Sequence, residues 1–117
     1  MRKIYYLSTC STCARIIKAL NLDDSFEFQD IKVNKITSTQ IEEMQQLSGS
    51  YESLFSKRAI KYKTMGLKEK SLNEEEIKQL ILEEYTFLKR PVIILNNTIF
   101  IGNAKKVVEA AQLMMGK

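Results

Sequence analysis

Ser8-Thr9-Cys10-Ser11-Thr12-Cys13-Ala14-Arg15 follows a short apolar run, Ile4-Tyr5-Tyr6-Leu7, and leads directly into a helical pattern. The order is strand, turn, thiol, helix. Cys10 falls where the first helical turn begins, so unpaired backbone N–H groups and the positive end of the helix dipole point at its sulfur. Both favour thiolate over thiol. A cysteine so placed in a Cys-x-x-Cys motif titrates at roughly 3.5–7.5 instead of about 8.5. Cys13, one helical turn on, can reach back to it, although its register with Ile16, Ile17 and Leu20 equally suits a buried core thiol. A zinc site fails on counting, because the chain has two cysteines and no histidine. No metal is expected.

Composition bounds the rest. A chain of 117 residues, 44% hydrophobic and 27% charged with one proline, reads as one ordinary globular domain over residues 1–117. The first strand begins almost at once, no apolar run approaches membrane-spanning length and no signal pattern precedes it, so a cytoplasmic protein without membrane contact is expected. In a reducing compartment a Cys-x-x-Cys pair is catalytic or regulatory more often than structural. With histidine absent, Cys10 is the strongest nucleophile available.

Outward from the motif, the pattern predicts a helix from about Ser11 to Leu20, a turn at Asn21–Ser25, and a half-buried strand over Phe26–Ile31 from its alternation. This is a βαβ unit, whose crossover joins parallel strands and sets the Cys10 turn at the carboxyl edge of the sheet. Ligands of open α/β sheets bind at that edge. Thr37-x-x-Gln40 predicts a capped helix with Ile41, Met44 and Leu47 on one face and Gly49 as its stop. Ser71-x-x-Glu74 predicts another, with Ile77, Leu80 and Ile81 inward. Between them Lys57–Lys70 carries six Lys or Arg against Glu69 alone, which suits a solvated face. The middle third reads as wholly helical. After Arg90-Pro91, Val92–Leu95 and Thr98–Ile101 flank Asn96-Asn97, an antiparallel hairpin signal. Gly102-Asn103 then reads as turn and N-cap of a last helix with Ala104, Val107, Val108 and Ala111 inward.

A β-α-β half with Cys10-Ser11-Thr12-Cys13 at its first turn, joined through helices to a β-β-α half that starts at a proline, resembles the ArsC/Spx family. Leu54-Phe55-Ser56-Lys57-Arg58, Tyr62, Met65-Gly66-Leu67-Lys68 and Arg90-Pro91 carry the same resemblance, which spans essentially the whole chain. It implies an α/β thioredoxin-like fold: a mixed four-stranded sheet, β-α-β then β-β-α, with an all-helical insertion over about residues 36–88. It also implies that Pro91 is a cis-proline facing the cysteines.

The resemblance implies two functions. Glutaredoxin-coupled arsenate reductases attack the oxyanion with one cysteine and hold it with arginines. Cys10 matches that cysteine and Arg90 the arginine before the proline, with Arg58, Ser11, Thr12 and Arg15 as further candidate anion ligands. Ser56 stands in place of the first arginine, Gly102-Asn103 in place of the last, and Ala14 where an arginine usually follows the cysteine. The expectation is a thiol oxidoreductase of this family, with Cys10 as nucleophile and Cys13 as resolving thiol. No bound cofactor is expected. Glutathione with glutaredoxin, or thioredoxin, would be the reductant, and a small oxyanion or a protein disulfide the substrate. The alternative is an Spx-like redox-sensing regulator that binds the C-terminal domain of the RNA polymerase α subunit, in which Lys57-Arg58 resembles a switch-responsive basic element. A net charge of +4 suits an anion or acidic partner, but no aromatic residues interleave the basic run as direct nucleic-acid binding would need. A monomer is expected.

Overall fold

The computed structural model describes residues 1–116. Contacts divide the chain into two units, residues 1–34 with the chain from Arg90 onward, and Lys35–Lys89. The first unit carries the sheet. Its strands are β1 (Arg2–Tyr6), β2 (Glu27–Asp30), β3 (Val92–Leu95) and β4 (Thr98–Ile101), in the spatial order β2-β1-β3-β4. β1 and β2 are parallel, as a βαβ crossover requires, and β1–β3 and β3–β4 are antiparallel. The central strand β3 is buried at all four residues, which is why Val92–Leu95 is a continuous apolar run and not an alternating one.

Helices α1 (Ser11–Leu20) and α5 (Lys105–Met114) supply Ile16, Leu20 and Ala111 to a core with Ile4, Phe26, Ile93, Leu95 and Phe100. Ile4, Ile93 and Phe100 are register partners across three strands, so one sheet face feeds this cluster. α1 ends where Asn21 takes the left-handed conformation, φ 52°, and its N–H closes onto the carbonyls of Ile17 and Lys18.

Two local expectations change. The strand is shorter than Phe26–Ile31: Phe26, just before β2, lies in the core, whereas Phe28 within β2 is 40% exposed. β2 is an edge strand, and the Phe28 ring rests edge-on against Tyr6 at 6.0 Å between centroids. The buried polar neighbour is Gln29, whose amide donates to the Asn34 carbonyl at 2.9 Å. The hairpin forms as expected, with Asn96 at a positive φ of 59°. The last helix is capped at Ala104 and not at Asn103, and no side chain bonds its first turn.

The second unit contains α2 (Ser38–Ser48), α3 (Ile60–Thr64) and α4 (Glu74–Glu83), with single 3₁₀ turns at Glu52–Leu54, Leu67–Glu69 and Tyr85–Phe87. The capping box at Thr37 and Gln40 forms, and Gly49 ends α2 at φ 96°. In α4 the cap lies two residues later than Ser71-x-x-Glu74 predicts: Asn73 accepts from the Glu76 N–H, and Glu76 accepts from the Asn73 N–H. Glu74 is used elsewhere, accepting from the backbone N–H groups of Tyr51 at 2.6 Å and Glu52 at 3.1 Å. The unit is not wholly helical. An antiparallel bridge pairs Phe55 with Leu88, bounded by Ser56 N–H to Phe87 carbonyl at 2.6 Å and Lys89 N–H to Leu54 carbonyl at 2.8 Å. Stacking of Phe55 on Phe87, 5.2 Å between centroids, draws these segments together. All six basic side chains between Lys57 and Lys70 are exposed.

Candidate functional site: a cysteine pair at the start of α1

Cys10 is the N-cap of α1, with extended backbone angles of φ −94° and ψ 113°. Its N–H donates to the Leu7 carbonyl at 3.0 Å, and its own carbonyl accepts from Ala14 N–H at 3.1 Å. These two bonds tie it to the end of β1 on one side and to the first helical turn on the other. Its sulfur stands at the opening of that turn, where the N–H groups of Thr12 and Cys13 act on it. Both cysteines are free thiols, Cys10 half-buried and Cys13 fully buried.

Burial alone would raise the Cys10 pKa, but it is outweighed. The N–H of Cys13, the Cys13 thiol, the N–H of Thr12 and the charge of Arg90 together hold Cys10 below the ordinary cysteine value. Cys13 goes the other way, pushed up to about 11. Burial is the main cause; a backbone hydrogen bond at Leu7 opposes it, and the neighbouring Cys10 sulfur adds to it by hydrogen bond and by charge. The two thiols are thus displaced in opposite directions, Cys10 toward the thiolate and Cys13 toward the protonated form. That is the division a nucleophile and a resolving thiol require.

Arg90, two residues before β3, acts on both sulfurs through the charge of its guanidinium. The Arg90–Pro91 peptide bond is cis, and Pro91 is buried. Thr12 is half-buried and contributes its backbone N–H, whereas Ser11 and Arg15 are exposed on α1. Arg58 lies in the other unit, exposed on the segment before α3, as does half-buried Ser56. Gly102 turns the chain after β4 at φ 87°, its N–H bonded to the Pro91 carbonyl at 2.9 Å, and Asn103 beside it is exposed. That position therefore offers a backbone turn and no cation.

One residue of this corner escaped the sequence. Asp30, at the end of β2, accepts hydrogen bonds from the hydroxyl and backbone N–H of Ser8. It carries no local sequence signal, because the ends of β1 and β2 that it connects are brought together by the β1–β2 register.

Among the described residues no helix is long and apolar enough to cross a membrane. A model of the ArsC family matches residues 5–111. No curated protein matches the sequence. Among solved structures, an arsenate reductase from Vibrio cholerae aligns at 18% identity with a TM-score of 0.73, covering 92% of this chain and 95% of that one. An arsenate reductase (ArsC) related protein from Brucella melitensis aligns at 19% identity and TM-score 0.65, over 93% and 92% of the two chains. A possible arsenate reductase from Streptococcus mutans is 26% identical, at TM-score 0.69, over 90% and 92%. The fold common to these chains is thioredoxin-like, with a mixed four-stranded sheet.

Proposed function

Because this chain belongs to the ArsC family, we propose that it is a thiol oxidoreductase in which Cys10 is the nucleophile and Cys13 the resolving thiol. The observation that carries this reading is the opposite displacement of two thiols in hydrogen-bond contact, Cys10 downward and Cys13 up to about 11.

On an arsenate oxyanion, the Cys10 thiolate forms an S–As bond and one arsenate oxygen leaves as water, its protons drawn from solvent. Arg90 offsets the repulsion between thiolate and anion, and the N–H groups of Thr12 and Cys13 that stabilise the thiolate are then free to face the bound oxygens. Cys13 next attacks the Cys10 sulfur. The S–As bond breaks with its electron pair left on arsenic, which falls from the pentavalent to the trivalent state, while the cysteines are oxidised to a disulfide. The Cys13 proton passes to the departing arsenite. A dithiol or glutathione-class reductant, through glutaredoxin or thioredoxin, returns two electrons to the pair.

The timing follows from the electrostatics. With a pKa of about 11, only on the order of one Cys13 in 10⁴ is ionised at pH 7. Two of the causes that hold it there are the hydrogen bond and charge of Cys10. Both fall away when the Cys10 sulfur becomes covalently engaged, so the Cys13 pKa drops toward the value its burial alone sets, and attack is favoured once there is an adduct to resolve.

The test is steady-state reduction of arsenate with glutathione and glutaredoxin, comparing the wild type with Cys10→Ser, beside a pull-down with the C-terminal domain of the RNA polymerase α subunit. Turnover that disappears in Cys10→Ser supports the oxidoreductase. Capture of the polymerase domain without turnover of arsenate or a protein disulfide would replace it with the regulator.

A further inference from the structure

The turn that presents Cys10 is held from outside its own helix. Asp30 is the register partner of Tyr6 at the ends of β2 and β1, and the next N–H, that of Ile31, donates to the Tyr6 carbonyl at 2.9 Å. Both chains leave the sheet here. The Asp30 carboxylate accepts from the chain leaving β1 through the hydroxyl and N–H of Ser8. It accepts from the chain leaving β2 through the Lys32 N–H, 3.2 Å from Oδ1. The Asp30 carbonyl takes the N–H groups of Val33 at 3.1 Å and Asn34 at 2.8 Å. One short side chain thus fastens two departing strands, and Ser8 is two residues before the reactive sulfur.

We propose that Asp30 is a positioning residue for Cys10: through Ser8 it fixes the turn from Leu7 to Cys10, and with it the alignment of the sulfur to the N–H groups of Thr12 and Cys13 and to Arg90. The inference rests on Cys10 being the reactive thiol. Hydrogen bonds from the Ser8 hydroxyl, against a smaller cost of burial, hold the Asp30 carboxyl below the usual carboxylate range, so it is an ionised acceptor at neutral pH. The groups that act on this corner are Arg90 and Cys13 at the sulfur and Lys32 at the carboxylate. A carboxylate near a thiolate has a second, opposite effect, since its charge alone would raise the Cys10 pKa. Positioning and repulsion therefore predict opposite signs.

The experiment is iodoacetamide alkylation of Cys10 as a function of pH, read by peptide mass in the whole protein, for the wild type, Asp30→Ala, Asp30→Asn, Ser8→Ala and the Asp30→Ala/Ser8→Ala double variant. Positioning predicts that the midpoint rises by about half a pH unit or more in Asp30→Ala and in Ser8→Ala, with no further rise in the double variant. Asp30→Asn, which keeps an acceptor and loses the charge, stays near the wild type. If Asp30→Ala does not fold, Ser8→Ala and Asp30→Asn decide the matter alone. A midpoint that falls in Asp30→Asn, or that stays fixed in Ser8→Ala while only thermal stability drops, overturns the proposal. Because alkylation needs no substrate, absence of arsenate reduction would count against the oxyanion reading without touching this one.

Discussion

The thiol of Cys13 donates its hydrogen to the sulfur of Cys10, and that bond separates the two acidities further than their surroundings alone would. Alkylation near neutral pH should therefore modify Cys10 first. Cys13→Ala removes one of the donors to the thiolate, leaving the Thr12 N–H, the residue-13 N–H and Arg90, so the Cys10 midpoint should rise by roughly one pH unit or less. Rates of Cys10 carbamidomethylation across pH in the two proteins check this. A faster reaction at Cys13 in the wild type would reverse the assigned roles.

Contact between the sulfurs also predicts a reversible disulfide. Mild peroxide followed by mass spectrometry should show loss of two hydrogens, restored by dithiothreitol. Recovery of Cys10 as sulfinic acid with Cys13 still a thiol would remove Cys13 from the resolving role.

The buried thiol leaves a mark on stability at high pH. Cys13 titrates at about 11 when folded and at an ordinary value near 9.0 when unfolded, so its raised folded pKa gives a contribution that is intact below 9. That contribution is lost as pH rises from 9 toward 11, because only the unfolded chain releases the proton there. The stability difference between wild type and Cys13→Ala, measured by urea unfolding, should shrink over that interval. A difference that is flat from pH 8 to 11 would show that the thiol does not titrate as a buried group.

In α4 the local pattern admits two frames, Ser71-x-x-Glu74 and Asn73-x-x-Glu76, and sequence spacing does not rank them. The choice is settled by Glu74, whose carboxylate bonds the N–H groups of Tyr51 and Glu52, more than twenty residues away in the chain. Asn73→Ala should cost about 1 kcal/mol of stability and Ser71→Ala less than about 0.5 kcal/mol. Equal losses, in chemical denaturation, would show that both frames contribute.

The same physics marks what the sequence could reveal. Cys10 at a strand-to-helix turn, the Thr37 capping box and the Asn96 hairpin rest on neighbours within a few residues, and the βαβ crossover follows from the order of such local elements, so all four were legible. Asp30 was not, because its relation to Ser8 depends on the β1–β2 register. Nor was the exposure of Phe28, because alternation gives the face of a strand and not whether that strand lies at the sheet's edge. The Phe55–Leu88 bridge hid inside segments whose periodicity is helical because its cause, the stacking of Phe55 on Phe87, joins residues 32 positions apart.

Arg90 carries the last prediction. Its charge acts on both sulfurs, while Ser56 and Gly102 stand where the family resemblance places other arginines, and Gly102 is committed to a turn. Loss of one preorganised donor from an oxyanion site costs on the order of 10²–10³ in rate. Arsenate reduction by the wild type should accordingly be slow. Arg90→Ala should lower it by about that factor and raise the Cys10 alkylation midpoint, and Arg90→Lys should recover the midpoint better than the rate, since a point charge replaces the electrostatics but not the bidentate fork. Arsenate or phosphate added during alkylation should slow the modification of Cys10 in the wild type and lose that effect in Arg90→Ala. Ser56→Arg restores an arginine where the family resemblance places one, with an increase in steady-state rate as the expected result. Rates unchanged in both Arg90→Ala and Ser56→Arg, with no protection by either anion, would remove the oxyanion from the reading and leave a protein disulfide as the substrate of the Cys10–Cys13 pair.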